Sequence, residues 1–317
     1  MNEIGGYFGL EKLVSNEYHK GLIRLNTATN AVVYLLQAKG IRKVYMPYYL
    51  CYAVSHKLVT NGYEVEYYSI HPDFSPMISH VMDEDEIIYI VNYFGQLTNE
   101  KISSLKEKYK QIIVDNTHAF FQKPLYGVDT IYSCRKFFGV SDGAYVSTTN
   151  PLHEELALDV SKDRMAHVLG RFEGQAAHFY ANFQEVDQML HSEPLKWMSR
   201  LTTNLLGAID YDNVRQIRNT NYAFLEHEFK EKNRLQLVTS DGAFAYPLYI
   251  ENGIEIRKNL AKKKLYIPTL WPNVLENTVE ESIEYRYAAN ILALPCDQRY
   301  GIKEMEYISN LINEVIS

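Results

Sequence analysis

The sequence has little cysteine, no surplus of positive charge and no long apolar run. Its 3 cysteines form no Cys-x-x-Cys pair, which argues against a disulfide framework or a zinc site of that type. Its 32 basic residues face 39 acidic ones, and the net charge of −7 argues against nucleic-acid binding. Apolar runs such as residues 87–91 are far too short to span a bilayer, and the acidic N-terminus lacks a signal-peptide core. We therefore expect a cytoplasmic protein that binds neither nucleic acid nor membranes.

The rest of the composition is that of an ordinary globular protein, with 46% hydrophobic and 22% charged residues. A chain of 317 residues can form one large α/β domain, or a large and a small domain. Short β-branched runs alternate with amphipathic segments of helix length, which predicts a mostly parallel sheet covered by helices. The predicted strands are 43–46, 64–68, 87–92, 112–115, 130–133 and 144–147, and the predicted helices include 29–38, 52–61 and 99–109.

The strand signal fades between residues 150 and 232, where helix-compatible sequence dominates. Strand-like runs return at 245–250 and 264–268, and the chain closes with the amphipathic segment KEMEYISNLINEVIS. This change predicts a large domain over residues 1–234 and a small C-terminal α/β domain over residues 235–317.

Ligands of open α/β sheets gather at the carboxyl ends of the strands, so polar residues that follow strands are candidates for a site. The segment NTATNAVVYLL (26–36) opens a helix whose free N–H groups, with the Thr27 or Thr29 hydroxyl, suit a phosphate. A simple helix N-cap explains the same residues. The segment VNYFGQL (91–97) ends a strand in Asn92 and a glycine turn, which either lines a site or only terminates the strand.

Two titratable side chains follow the next predicted strand. Asp115 stands at the tip of a buried strand, where an ionised carboxylate needs a cation or hydrogen-bond donors. His118, three residues later, would face the same cavity. A strand-end aspartate is also a common helix cap, so both interpretations stay open.

The stretch YSCRKFFGVSDGAYVS (132–147) places Lys136 between a strand that ends in Ser133 and a turn marked by glycines. Ser-x-x-Lys also occurs in penicillin-binding enzymes and class A β-lactamases, where the serine is the nucleophile. That interpretation fails here, because the chain has no Lys-Thr-Gly and Ser133 closes a strand instead of opening a helix. The alternative to a functional lysine is one whose aliphatic stem packs at the strand end while its ammonium group reaches water.

One ligand, pyridoxal 5′-phosphate (PLP), would use all of these groups. It needs a phosphate site, an acidic partner for its ring nitrogen and a lysine amine for its aldehyde. A lysine loses its proton more readily when it is buried and close to another cation, here Arg135. We therefore expect Lys136 to be desolvated.

The order of these motifs resembles the DegT/StrS (DegT/DnrJ/EryC/StrS-type) family of PLP-dependent sugar aminotransferases. The resemblance begins near Ile4, covers most of the chain and continues through KWMSRLTTNLLGAID, YIPTLWP and ILALPCDQRY. It implies PLP-transferase fold type I: a mostly parallel central sheet flanked by helices, plus a small C-terminal α/β domain.

The resemblance also implies the roles of the catalytic residues. Lys136 would form the Schiff base with the cofactor, Asp115 would pair with its ring nitrogen, and His118 would contact its phenolic oxygen. The implied reaction moves an amino group from an amino acid to a keto acceptor, including nucleotide-linked keto-sugars of surface polysaccharide biosynthesis. The implied assembly is a homodimer.

The resemblance further implies the residues that bind the cofactor without reacting. The phosphate would be held by Ala28, Thr29 and Ser133. An aromatic side chain against the ring is implied at Tyr49 or at the adjacent Cys51 and Tyr52, and the sequence does not decide among the three.

The chain departs from the family pattern in three ways. Ala28 replaces the usual glycine, His118 replaces the commoner glutamine, and the chain is shortened between Val146 and Trp197. These departures leave open a catalytically silent binding or scaffold protein with a PLP fold. A PLP-dependent sugar dehydratase is disfavoured, because those relatives replace the lysine that this chain keeps at Lys136.

Overall fold

The structure, a computed structural model, describes residues 4–316 and is built around an eight-stranded sheet. Its strands are β1 (Ile23–Leu25), β2 (Lys43–Pro47), β3 (Glu64–Ile70), β4 (Pro76–Met77), β5 (Glu86–Val91), β6 (Ile112–Asp115), β7 (Asp129–Ser133) and β8 (Ala144–Ser147). Their spatial order is β1-β8-β7-β6-β5-β2-β3-β4. Strands β3, β2, β5, β6 and β7 are parallel, and β8 runs antiparallel to β7. The carboxyl ends of the five parallel strands therefore lie at one edge.

Eleven helices and a small second sheet complete the described part of the chain. The helices that connect strands of the large sheet are α1 (Ala28–Lys39), α2 (Tyr52–Thr60) and α3 (Asn99–Tyr109). The middle of the chain forms α4 (Ala166–Glu173), α5 (Tyr180–Ser192), α6 (Arg200–Leu206) and α7 (Tyr211–Phe229). The C-terminal part forms β9 (Tyr246–Tyr249), α8 (Gly253–Lys262), α9 (Pro272–Asn277), α10 (Ile283–Asn290), β10 (Ile291–Leu294) and α11 (Ile302–Ile316), with β9 antiparallel to β10.

Burial on both faces explains why the central strands read as unbroken apolar runs. All six residues of β5, EIIYIV, are buried. Helix α1 covers the sheet with a nearly continuous buried stretch and has clear ends. The Thr27 hydroxyl accepts a hydrogen bond from the Asn30 N–H at its start, and Gly40 ends it in the left-handed conformation. A second apolar core lies between α7, α8 and α11 and the small sheet, where Leu260 and Ile312 are fully buried.

The six strands predicted before residue 150 are confirmed as β2, β3, β5, β6, β7 and β8. The strand predicted at 264–268 is wrong. Its side chains alternate between buried and exposed, as in a strand, but the described structure gives its backbone no ladder partner and Pro268 has no N–H to donate. The partner of β9 is instead β10, within ILALPCDQRY.

The predicted domain boundary between residues 234 and 235 stays a prediction. Residues 1–3 and 317, at the two outer ends of the predicted domains, lie outside the described residues. Within residues 4–316, no helix combines the length and the apolar character that crossing a membrane requires.

Gly143 directly precedes β8 and has a φ of +118°, a backbone conformation that residues with a side chain rarely adopt. A Cβ there would lie 3.0 Å from Thr202 Cγ2 and 3.3 Å from Cys134 Cβ. We expect Gly143→Ala to lower the free energy of unfolding by ~1–3 kcal/mol, measured by urea denaturation. Gly301→Ala is the control, since its Cβ would meet only Glu304 Oε2, at 3.6 Å. Equal urea midpoints for Gly143→Ala and the wild type would contradict this account.

Candidate active site

The carboxyl ends of β6 and β7 lie side by side, because Asp115 pairs in register with Ile131. Asp115 ends β6 and Ser133 ends β7, and both side chains are buried. Lys136 follows Ser133 in a short 3₁₀ turn and lies close enough for its charge to act on Asp115 and on His118. The structure therefore brings together the three residues to which sequence analysis assigned the chemistry.

Asp115 is a carboxylate in the interior, with 6% of its surface exposed. Its Oδ1 accepts a hydrogen bond from the Thr117 N–H at 2.8 Å, and its Oδ2 accepts one from the Tyr89 hydroxyl. Burial raises the pKa of Asp115, against the opposing effect of these hydrogen bonds and of the Lys136 charge. The next strand or α-helix after Asp115 is β7, so the helix-cap interpretation is wrong.

His118 is a buried, neutral imidazole held between aromatic rings. Its ring stacks on Phe244 at 4.2 Å between centroids and lies parallel to the Trp271 ring at 5.9 Å. Burial, helped by the Lys136 charge, lowers the pKa of His118 to about 3. Its Nδ1 is buried and has no hydrogen-bond partner among residues 4–316. A polar atom of this kind is ready for a ligand that brings its own donor or acceptor.

The expectation that Lys136 is desolvated is wrong, because its side chain is exposed in this single chain. It is the last residue of the 3₁₀ turn Cys134–Lys136, which follows β7. The neighbouring Arg135 is not a free cation either, since it donates to Asp187 Oδ1 at 2.8 Å. Lys136 itself has neither a side-chain hydrogen bond nor an ion pair within the described chain.

The turn that carries Lys136 is held by a residue of α7 and by one from the C-terminal part of the chain. Gln298 Nε2 donates to the carbonyl oxygen of Phe137 at 2.7 Å. Arg218, fully buried, donates to Gln298 Oε1 and to the Ala243 carbonyl oxygen at 2.8 Å each, and its guanidinium lies 4.3 Å from the centre of the Phe137 ring. Sequence analysis missed these supports, because Arg218 and Gln298 lie 81 and 161 residues from Phe137 and no local motif links such positions.

The start of α1 is a capped helix end whose first backbone N–H groups are free. Thr27 Oγ1 accepts from the Asn30 N–H at 3.1 Å and lies 3.0 Å from Thr29 Oγ1. Within residues 4–316, the backbone N–H groups of Ala28 and Thr29 have no acceptor. Free N–H groups at a helix N-terminus, with two hydroxyls beside them, are suited to a phosphate.

The three candidates for the ring contact occupy different environments. Tyr49 is fully buried, with its ring 5.0 Å from that of Trp271 and its hydroxyl unpartnered among the described residues. Tyr52 is 58% exposed and stacks on His56. Cys51 is half-buried just before α2 and is close enough to Tyr89 to interact electrostatically.

The segment 91–97 terminates a strand, with its polar groups used internally. Asn92 is fully buried, donates to Gln122 Oε1 at 2.7 Å and accepts from the Leu97 N–H at 2.8 Å. Gln96 donates to the Val238 carbonyl oxygen at 2.9 Å. These bonds favour the structural interpretation of this segment.

Sequence analysis also missed Tyr89, the side-chain partner of Asp115. Tyr89 lies inside the apolar run of β5, where nothing local distinguishes it from a core residue. The strand register would have revealed it. Val91 pairs with Asp115, and Tyr89, two residues before Val91, therefore lies on the same face of the sheet as Asp115.

No protein-family model and no curated protein matches this chain in sequence. Solved structures match it in fold. A DegT DnrJ EryC1 StrS aminotransferase from Brucella abortus is 14% identical with a TM-score of 0.61, covering 92% of this chain and 85% of that one. PseC of Helicobacter pylori, an aminotransferase involved in the biosynthesis of pseudoaminic acid, is 14% identical with a TM-score of 0.62 over 92% and 85%. NtdA of Bacillus subtilis, with bound cofactor PMP, is 14% identical with a TM-score of 0.64 over 93% and 73%. The chain thus has the fold of these aminotransferases, which confirms the predicted fold class, PLP-transferase fold type I.

Proposed function

We propose that this chain is a PLP-dependent aminotransferase, a divergent member of the DegT/StrS family that moves an amino group from an amino acid to a keto acceptor. The observation that carries the proposal is the meeting of Asp115, His118 and Lys136 at one sheet edge, in a fold shared with solved aminotransferases. Because a structural neighbour, CalS13 of Micromonospora echinospora, is described as a sugar aminotransferase, we extend the proposal to a nucleotide-linked keto-sugar acceptor.

The residues present fit PLP. Asp115 offers a buried carboxylate for the ring nitrogen, and the unpartnered Nδ1 of His118 offers a polar contact for the ring oxygen. The backbone of Ala28 and Thr29, with Ser133, would hold the phosphate. Ala28 adds only a methyl group to the usual glycine, and its backbone N–H has no acceptor among the described residues.

When bound, PLP would supply an electron sink for the negative charge left at the amino donor's α-carbon. The chain's own residues do the rest. Lys136, exposed and unpaired within the described chain, would attach to the cofactor aldehyde through Nζ with loss of water, and its amine, once the amino donor has displaced it, would serve as the base for the α-proton. Asp115 would keep positive charge on the ring nitrogen, and the neutral His118 would orient the ring without adding charge.

We also propose a homodimer located in the cytoplasm. The dimer proposal is supported by Tyr48 and Tyr52, which are 42% and 58% exposed directly after β2, at the sheet edge that holds the site. Tyr67, 42% exposed, stacks on Tyr48 and extends this aromatic surface. The cytoplasmic location is supported by the three free cysteines, a state typical of reducing compartments.

The proposed function is tested first at Lys136. We expect wild-type protein with PLP to show an imine absorbance band that amino acids convert to the pyridoxamine form, and borohydride to trap PLP on Lys136. Lys136→Ala should lose the trapped adduct and keep the fold, since truncating an exposed side chain leaves no core cavity. Lys162→Ala is the control, because Lys162 is an exposed lysine outside the site. Peptide mapping that finds the adduct on another lysine would refute the assignment.

Asp115→Asn should separate activity from stability. We expect the first half-reaction to slow about a hundredfold or more in single-turnover measurements, because an amide cannot hold the ring nitrogen protonated. Burial raises the pKa of Asp115, so the stability it gives is present at low pH and is lost as pH rises through that pKa. The variant apoprotein should therefore be more stable than wild type at pH 7, with the difference shrinking as pH falls.

Asp187→Asn is the matched control for this stability effect. Asp187 is paired with Arg135, and although burial opposes the change, its hydrogen bond and the Arg135 charge hold the pKa of Asp187 below its usual value. Its contribution to stability is therefore present at neutral pH and lost in acid, the opposite sign to Asp115. Urea unfolding of both apoproteins between pH 4 and pH 8 measures this difference. Parallel pH profiles for the two variants would show that Asp115 is not destabilised by burial.

The dimer is tested by concentration. We expect activity and PLP retention to fall together on dilution, because an obligate interface of about 2,000 Å² or more would complete each site. Tyr48→Glu should weaken the dimer in light scattering, whereas Tyr126→Glu, at a position 97% exposed in a different loop, should not. A fully active, PLP-loaded species at monomer mass would refute the proposed assembly.

A further inference from the structure

We propose that Tyr89 is a positioning residue for Asp115: its buried hydroxyl fixes one carboxylate oxygen and keeps the carboxylate charged and aimed at the cofactor ring nitrogen. This role rests on the function proposed above. Tyr89 touches neither the reacting atoms nor Lys136 in any described contact, so its effect would pass through Asp115 alone.

The geometry is that of a fixed donor on a fixed acceptor. Tyr89 is 1% exposed in the centre of β5, and its backbone carbonyl accepts from the Tyr68 hydroxyl at 2.7 Å. The Tyr89 hydroxyl donates a hydrogen bond to Asp115 Oδ2, and the Thr117 N–H donates one to Asp115 Oδ1. With a donor on each oxygen, the carboxylate has one orientation and still keeps free lone pairs for the cofactor.

The hydroxyl also has a defined electrostatic effect. An uncharged donor favours the ionised form of Asp115 without neutralising its charge, which a lysine or arginine at the same place would do. The other titratable groups close to this pair are Lys136 beside Asp115, Cys51 beside Tyr89, and Tyr93, which interacts with both. Burial, and then the Asp115 charge, raises the pKa of Tyr89, so the tyrosine stays a donor at neutral pH.

The test removes the Tyr89 hydroxyl and follows the titration of the Asp115 carboxylate directly. Apoprotein labelled with ¹³C at the aspartate carboxyl carbons is titrated by NMR, with the Asp115 signal assigned from its absence in Asp115→Asn. Tyr89→Phe removes the donor and keeps the ring. The matched control is Tyr109→Phe, which removes the hydroxyl of an equally buried tyrosine that donates to the Ile78 carbonyl oxygen at 2.9 Å and makes no described hydrogen bond with Tyr89 or Asp115.

We expect Asp115 to titrate at higher pH in Tyr89→Phe than in wild type or Tyr109→Phe. Binding of PLP to Tyr89→Phe should be about tenfold or more weaker, since a hydrogen bond to a charged group is lost. In the Asp115→Asn background the same substitution should change PLP affinity much less, because the two residues act as one unit.

Two results would overturn the inference: an Asp115 titration that is identical in all three proteins, or an equal loss of PLP affinity in Tyr109→Phe and Tyr89→Phe. The apoprotein titration does not need PLP, so it tests the hold of Tyr89 on Asp115 even if the proposed function fails. Failure of the proposed function has a separate signature, the absence of any PLP imine band in the wild type.

Discussion

A carboxylate buried at the end of a strand is the constraint around which this structure is organised. Asp115 is removed from water at the middle of the sheet, and its charge must be stabilised by what the fold places around it. The chain supplies a backbone N–H, a tyrosine hydroxyl and the nearby charge of Lys136, each from a different segment. The parallel register of β5, β6 and β7 makes this possible, since it sets these segments side by side.

The aromatic surroundings give the site a low dielectric, which strengthens the few polar interactions within it. Phe244 and Trp271 flank His118 and keep its imidazole neutral, so that the positive charge near Asp115 comes from Lys136. Both rings come from the C-terminal part of the chain, as does Gln298, which holds the Lys136 turn. The site is thus assembled from the large sheet and from segments more than 100 residues away in sequence.

The arrangement also illustrates a general conflict between stability and chemistry. A carboxylate that is destabilised by burial is a poor structural element, but it is suited to hold a positive charge that a ligand brings. Arg218 shows the structural counterpart, because it is equally buried yet satisfied by carbonyl and amide oxygens and by a ring. The described residues around Asp115 leave lone pairs free, and those around Arg218 leave little for a ligand to use.

The sequence by itself determined six of the eight strands of the large sheet, since the central ones are buried on both faces and read as apolar runs between amphipathic helices, but it did not show β1 or β4. It also determined that Asp115, Ser133 and Lys136 lie at one sheet edge, because polar residues that follow parallel strands meet there. The sequence could not show that β9 pairs with β10, because strand pairing over more than 40 residues depends on which edges the core leaves open. Only the tertiary structure decided that Lys136 is exposed, that Tyr89 donates to Asp115 and that Gln298 holds the Lys136 turn. Those facts depend on register and on the direction of side chains, and residues distant in the chain carry no local signal of either.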